Sequence, residues 1–156
     1  MKSEQEYDER LGVPLRWWVQ GTMLVASLWL AVVVALPGVV AWVVTAIALG
    51  LLTSGLLSYG SARVLVADGT FRAGRARIAG RHLGPATVLD AEQTRRTAGR
   101  DADARAYLLL RPYLKRSVRV EILDPADPAP YWLVSTRHPV ELASALTALR
   151  DGSAAG

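Results

Sequence analysis

Residues 17–62 read WWVQGTMLVASLWLAVVVALPGVVAWVVTAIALGLLTSGLLSYGSA, without an Asp, Glu, Lys or Arg between Trp17 and Ala62. About 20 apolar residues at ~1.5 Å of helical rise each suffice to cross a ~30 Å hydrocarbon core. The stretch is about twice that length and is interrupted near its middle by Pro37-Gly38. It therefore predicts a membrane hairpin with spans over 17–36 and 39–60. A secretory signal would show an apolar region of only ~7–15 residues behind a basic segment. Here the leader Met1 to Arg10 is mixed and slightly acidic, and a second span follows the first directly, so the hairpin is expected to be retained.

Arg10 and Arg16 precede the hairpin, and Arg63, Arg72, Arg75, Arg77 and Arg81 follow it, whereas the Pro37-Gly38 tip carries no cation. The positive-inside bias places both termini in the cytoplasm, residues 1–16 being a cytoplasmic leader. Trp17, Trp18 and Tyr59 are expected as anchors at the inner interface and Trp42 near the outer one; Trp29 falls closer to mid-bilayer and has no place in such a belt. Small residues recur every fourth position, at Ser27, Ala31 and Ala35 and at Ala46, Gly50, Ser54 and Ser58. Stripes of this kind allow close helix approach. The expectation is that Ala31 and Ala35 pack against Gly50 and Ser54 within the hairpin, a dimer or a partner membrane protein being the other use. Neither span holds an Asp, Glu, Lys, Arg or His, which argues against a transport route through this chain.

After the hairpin the apolar period shortens. Arg63–Ala67, the Asp68-Gly69 turn and Thr70–Ala73 form a β-hairpin signal. Short strands are expected near 76–79, 86–91 and 106–111, with the arginine-rich stretch Thr94–Arg105 as an exposed loop. Ser117–Leu123 alternates Val118, Val120 and Ile122 against Arg119 and Glu121. A Pro-rich turn leads to Tyr131–Thr136, a strand rich in aromatic and β-branched residues. A helix over 139–150 follows, with His138 or a near neighbour as its cap, Pro139 in the first turn, and Leu142, Leu146 and Leu149 on one stripe. Residues 151–156 are expected to fray into a disordered tail. Residues 63–150 thus read as one α+β domain, a small seven-stranded curved sheet or barrel closed by one C-terminal helix. That order resembles the pleckstrin-homology-like (PH-like) fold.

The chain has no cysteine, so disulfides, thiolate metal sites and cysteine nucleophiles are excluded. His82 and His138 lack metal-ligand spacing and are assigned to an exposed turn and a helix start. Ser135 has no nucleophile elbow around it, and a phosphate loop is missing. Asp101 and Asp103 stand among arginines as a solvated charge cluster. No catalytic residue, cofactor or metal site is expected.

From Arg63 onward there are 15 Lys or Arg against 10 Asp or Glu. Near an anionic leaflet such residues gain ~1 kcal/mol each. Arg72, Arg75, Arg77 and Arg81 are therefore candidate anionic-lipid contacts, joined by Lys115, Arg116 and Arg119 if their strand lies close by. The charge sign also suits nucleic acid, but the basic, aromatic-interleaved pattern of such binders is missing, and no nucleic-acid partner is expected.

The leader Tyr7-Asp8-Glu9-Arg10-Leu11-x-Val13-Pro14-Leu15-x-Trp17-Trp18, the two spans, and Tyr131-Trp132-Leu133-Val134-Ser135-Thr136-Arg137-His138-Pro139 resemble the DUF3093 family of actinobacterial membrane proteins of unknown function. The resemblance covers almost the whole chain. It implies a bacterial plasma-membrane setting and supplies no activity or catalytic residue. The expected function is a non-enzymatic membrane-anchored interaction or scaffold module, with a protein partner or a second copy as its ligand and an edge strand and the C-terminal helix as contact surfaces. The alternatives are recognition of anionic lipid at the inner leaflet, or an accessory subunit of a membrane enzyme.

Overall fold

The computed structural model describes residues 6–155. They divide into two compact units, one spanning Gly12–Ser61 and the other combining the chain up to Leu11 with the chain from Ala62 onward.

The first unit is a pair of helices, α1 (Leu15–Ala35) and α2 (Gly38–Gly60), both long and apolar enough to cross a membrane by length and composition. Pro37 ends α1 from outside: the residue before a proline is driven out of the helical region, and Leu36 is extended at φ −129°, ψ 155°. The same proline occupies the N-cap of α2. The contact between the helices is not the one expected from the small residues. Ala31, Ala35, Gly50 and Ser54 are all exposed, and a Cβ added to Gly50 would meet nothing within 4 Å. Leu52 instead lies on Gly21, where an added Cβ would stand 2.8 Å from its Cδ1. Val25 and Ala41 are buried, and the rings of Trp29 and Trp42 meet at 6.0 Å. Four-residue spacing shows which faces could approach closely, but the short turn sets which faces do. Trp29 is explained by this contact. Trp17 stacks on Tyr59 with ring planes 7° apart, which pairs two of the three expected anchors; Trp18 beside them is half-buried.

Among the described residues the second unit contains eight strands in two sheets, one more strand than expected and not a closed barrel. Sheet A has the order β1-β2-β3-β4, with β1 at Tyr7–Arg10, β2 at Arg63–Ala67, β3 at Thr70–Ala73 and β4 at Ala76–Ala79, all antiparallel. The additional strand is β1, drawn from the leader. Asp68 and Gly69 both take positive φ, 50° and 71°, as a two-residue turn matched to strand twist requires. A 3-10 turn at Gly80–His82 leads into sheet B, ordered β5-β7-β8-β6, with β5 at Leu83–Leu89, β6 at Tyr107–Leu109, β7 at Ser117–Ile122 and β8 at Tyr131–Ser135. The edge strand β6 runs parallel to β8.

Part of the expected loop at 94–105 is helical. Helix α3 (Ala91–Ala98) begins at Asp90, whose side chain accepts from Gln93 N at 2.8 Å while Gln93 Oε1 accepts from Asp90 N at 3.0 Å. This reciprocal capping box satisfies two donors that helix starts leave open. Helix α4 runs Pro139–Ala154, four residues beyond its expected end, so most of the presumed tail is helical.

The inner faces of both sheets and α4 share one core, in which Val64, Val66 and Phe71 of sheet A meet Val118, Val120, Trp132 and Val134 of sheet B under Leu142 and Leu146. Phe71 and Trp132 are in ring contact at 5.7 Å. Tyr107 reaches across to donate its hydroxyl to Ala73 O at 2.9 Å. A smaller cluster of Leu89, Tyr131 and Leu133 fills the opposite face of sheet B, which is why every residue of β8 is buried.

Candidate functional site

Strand β1 carries two kinds of face. Its register with β2, Tyr7↔Val66 and Glu9↔Val64, turns Tyr7 and Glu9 toward the interior, and Asp8 and Arg10 toward solvent. Glu9 is only 7% exposed. A carboxylate so placed must be compensated by donors or charge, and its partners come from the far end of the chain. Glu9 Oε2 accepts the Tyr7 hydroxyl at 2.6 Å and the Thr136 hydroxyl at 2.5 Å, and Oε1 accepts Arg137 N at 2.9 Å. The Arg137 guanidinium lies 3.6 Å from Oε1 and donates to Arg10 O at 3.0 Å. Thr136 Oγ1 in turn accepts from His138 N at 3.0 Å.

The arrangement is a clasp. It ties the strand before α1 to the junction of β8 and α4, and it uses on internal donors the oxygen positions that a metal or substrate would need. His138 occupies the N-cap of α4 but makes no side-chain cap bond; its Nδ1 stands 3.3 Å from Glu141. His82 accepts from Arg81 Nε at 3.0 Å. Asp103 is bound by the backbone and side chain of Arg105, which holds its carboxyl below the ordinary range. Among the described residues no three His, Asp or Glu side chains converge as a metal site would require.

A second constellation lies on the outer face of sheet A. The register places Asp8, Leu65, Arg72 and Arg77 in one row across four strands and Arg10 opposite Arg63 in the next. Arg72 and Arg77 of the expected lipid set are thus brought together, and Arg75 is exposed in the adjoining turn. Arg81 lies beyond β4, in the 3-10 turn. Arg119 belongs to sheet B, where its guanidinium covers the Tyr131 ring at 4.2 Å, so it does not join the group. Arg10 and Arg63 are the members that sequence reasoning missed, because their place depends on β1 pairing with β2. A separate cleft of about 380 Å³ is lined by Glu92, Arg95, Arg96, Gly99 and Arg100, but Glu92 holds both Arg95 and Arg96 by ion pairs.

The family model described as "Protein of unknown function (DUF3093)" matches residues 6–146. The chain belongs to the DUF3093 family. No curated protein and no solved structure matches it. The DUF3093 match begins one residue before β1 and ends within α4, so it contains both halves of the clasp and the whole helix pair between them.

Tyr7 offers a direct probe of the clasp in this DUF3093 chain. Its hydroxyl is pushed well above the ordinary phenolic range by burial and then by its bond to Glu9, with Thr136 acting in the opposite sense. The folded state therefore holds the phenolic proton more tightly than the unfolded state does. The stabilisation from neutral Tyr7 is complete below about pH 10, the unfolded value, and is lost as pH rises from there through the folded value. Thermal unfolding followed from neutral pH to about pH 11 should show that alkaline decline. Tyr7→Phe should remove the decline while lowering stability at neutral pH by ~1 kcal/mol through the lost hydrogen bond. An alkaline limb unchanged in the variant would exclude Tyr7 as its source.

Proposed function

We propose that this chain is a non-enzymatic, membrane-anchored interaction module of the bacterial plasma membrane. In this reading α1 and α2 cross the bilayer, both termini are cytoplasmic, and the sheet unit presents a PH-like domain to a protein partner or a second copy. The observation that carries the reading is the pairing of β1 with β2. Arg10 stands opposite Arg63, and Leu11 N donates to Ala62 O at 3.0 Å, so the helix pair is inserted between two neighbouring strands of one sheet. Both ends of a spanning hairpin would then have to emerge on one side. The cations that flank it, with none at Pro37-Gly38, favour the cytoplasm for that side.

The PH-like assignment is supported by two sheets sharing a core under a C-terminal helix. The non-enzymatic assignment is supported by the clasp, whose buried carboxylate is occupied by the protein's own donors. Surfaces for a partner remain at the sheet edges and on the outer side of α4, where Val140 is 68% exposed. Crosslinking in native membranes followed by mass spectrometry should give defined complexes of the full chain with another protein or with itself. Recovery of uncomplexed monomer alone would overturn the reading.

A further inference from the structure

We propose that the outer face of sheet A seats on an anionic lipid leaflet, Arg10, Arg63, Arg72 and Arg77 binding headgroup phosphates. The proposal rests on the membrane reading and gives the anchored unit its lipid partner.

The register carries the argument. Arg72 stands directly opposite Arg77, and Arg10 directly opposite Arg63. Directly opposed residues of this kind have Cβ atoms ~5 Å apart, and like charges there are unfavourable. Among the described strand residues of sheet A the outward-facing acid is Asp8, and it is paired with Arg63 at 2.7 Å. Arg10, Arg72 and Arg77 are exposed and have no acidic partner among the described residues. An external anion relieves the repulsion between Arg72 and Arg77, and it supplements Asp8 between Arg10 and Arg63.

The shape of the face selects the kind of anion. Between and beside the arginines lie Leu65, Ala67, Thr70 and Ala79, all half-buried and all shorter than arginine, so the arginines are the longest side chains on this sheet face. That suits a planar array of phosphates, each able to take two parallel N–H bonds from a guanidinium. Connectivity selects the source. The strands that carry Arg10 and Arg63 are those contiguous with the helix pair, through residues 11–14 on one side and 61–62 on the other, so a leaflet crossed by the hairpin is the anionic surface to which this face is permanently tethered.

The natural chain has no cysteine, so a single introduced thiol can report on the face. The full chain carrying Ala67→Cys with a spin label is placed in phosphatidylglycerol nanodiscs and in phosphatidylcholine nanodiscs, and its accessibility to a water-soluble relaxation agent is measured. Thr87→Cys, at an exposed position of β5, is the control. The expected result is shielding of the label at 67 in the anionic discs, reversed by high salt, with the label at 87 unaffected. Arg72→Gln and Arg77→Gln should each weaken the association about fivefold. Equal accessibility in the two lipids, or shielding that survives removal of both arginines, would overturn the proposal. Shielding by a soluble oligonucleotide but not by anionic lipid would overturn it in favour of nucleic acid. A chain that does not enter nanodiscs of either composition fails the membrane reading itself, a result distinct from incorporation without shielding.

Discussion

Ile47→Arg should lower membrane insertion of the chain about a hundredfold, since an arginine near the centre of a spanning helix costs ~2.5–3.5 kcal/mol. Ile47 lies near the middle of α2 and is 58% exposed. The same exposure gives the opposite expectation in water. A charged substitution on the open surface of a soluble helix changes stability by no more than about 0.5 kcal/mol and would remove an apolar liability. One substitution therefore separates a hairpin that spans from a helix pair that does not. The measurement is the fraction of chain that stays with the membrane after alkaline carbonate extraction, compared with Ile47→Leu. Retention of both variants to the same degree would count against insertion of α2.

The parts of the fold that could be read in advance are those whose determinants are local. Pro37-Gly38 marks its own turn because proline acts on the residue before it. Asp68-Gly69 marks a hairpin because few residue pairs tolerate two positive φ values. Val118, Val120 and Ile122 alternate because one face of β7 is core, and Leu142 and Leu146 share a stripe because α4 covers that core. Helix α3 had a local signal too, in Asp90 and Gln93 at capping-box spacing. It was obscured because the helix buries little beyond Thr94, which bonds Ser117 at 2.8 Å, and so lacks an apolar stripe.

The candidate sites were much less legible, and β1 shows why. Its inward positions hold Tyr7 and Glu9, and a buried glutamate breaks the apolar alternation by which strands are recognised. Glu9 is tolerated only because Thr136 and Arg137 supply donors from more than 120 residues away, a coincidence that no local pattern encodes. The basic face depends on the same pairing. Arg72 and Arg77 were visible as a cluster, but Arg10 and Arg63 became their neighbours only when β1 took its place beside β2. The facing surfaces of α1 and α2 were illegible for a related reason: the azimuth of two helices is a tertiary property, and small residues restrict it without fixing it.

Glu9→Ala should destabilise the sheet unit by ~3 kcal/mol, because it leaves buried donors without an acceptor as well as deleting their bonds. Tyr7 and Thr136 retain some compensation, their hydroxyl oxygens lying 2.9 Å apart, whereas Arg137 N loses its partner and the guanidinium loses its carboxylate. Glu9→Gln should cost less, ~1 kcal/mol, since an amide keeps one acceptor oxygen and the rotating hydroxyls can turn to accept from its nitrogen. The damage should also be local. β1 is a four-residue edge strand whose inward residues are Tyr7 and Glu9, while β5, β7 and β8 are stabilised by the shared core. Hydrogen exchange in the full chain should therefore accelerate at β1, at the β2 amides that face it and at the first turn of α4, with β7 and β8 close to the parent. Uniform acceleration across both sheets would show that Glu9 supports the core in general. No acceleration at β1 would show that strand pairing alone retains it. The predicted pattern would mean that Glu9 fastens the inward side of the strand leading into α1, while the pairing with β2 and the buried Leu11 hold the rest.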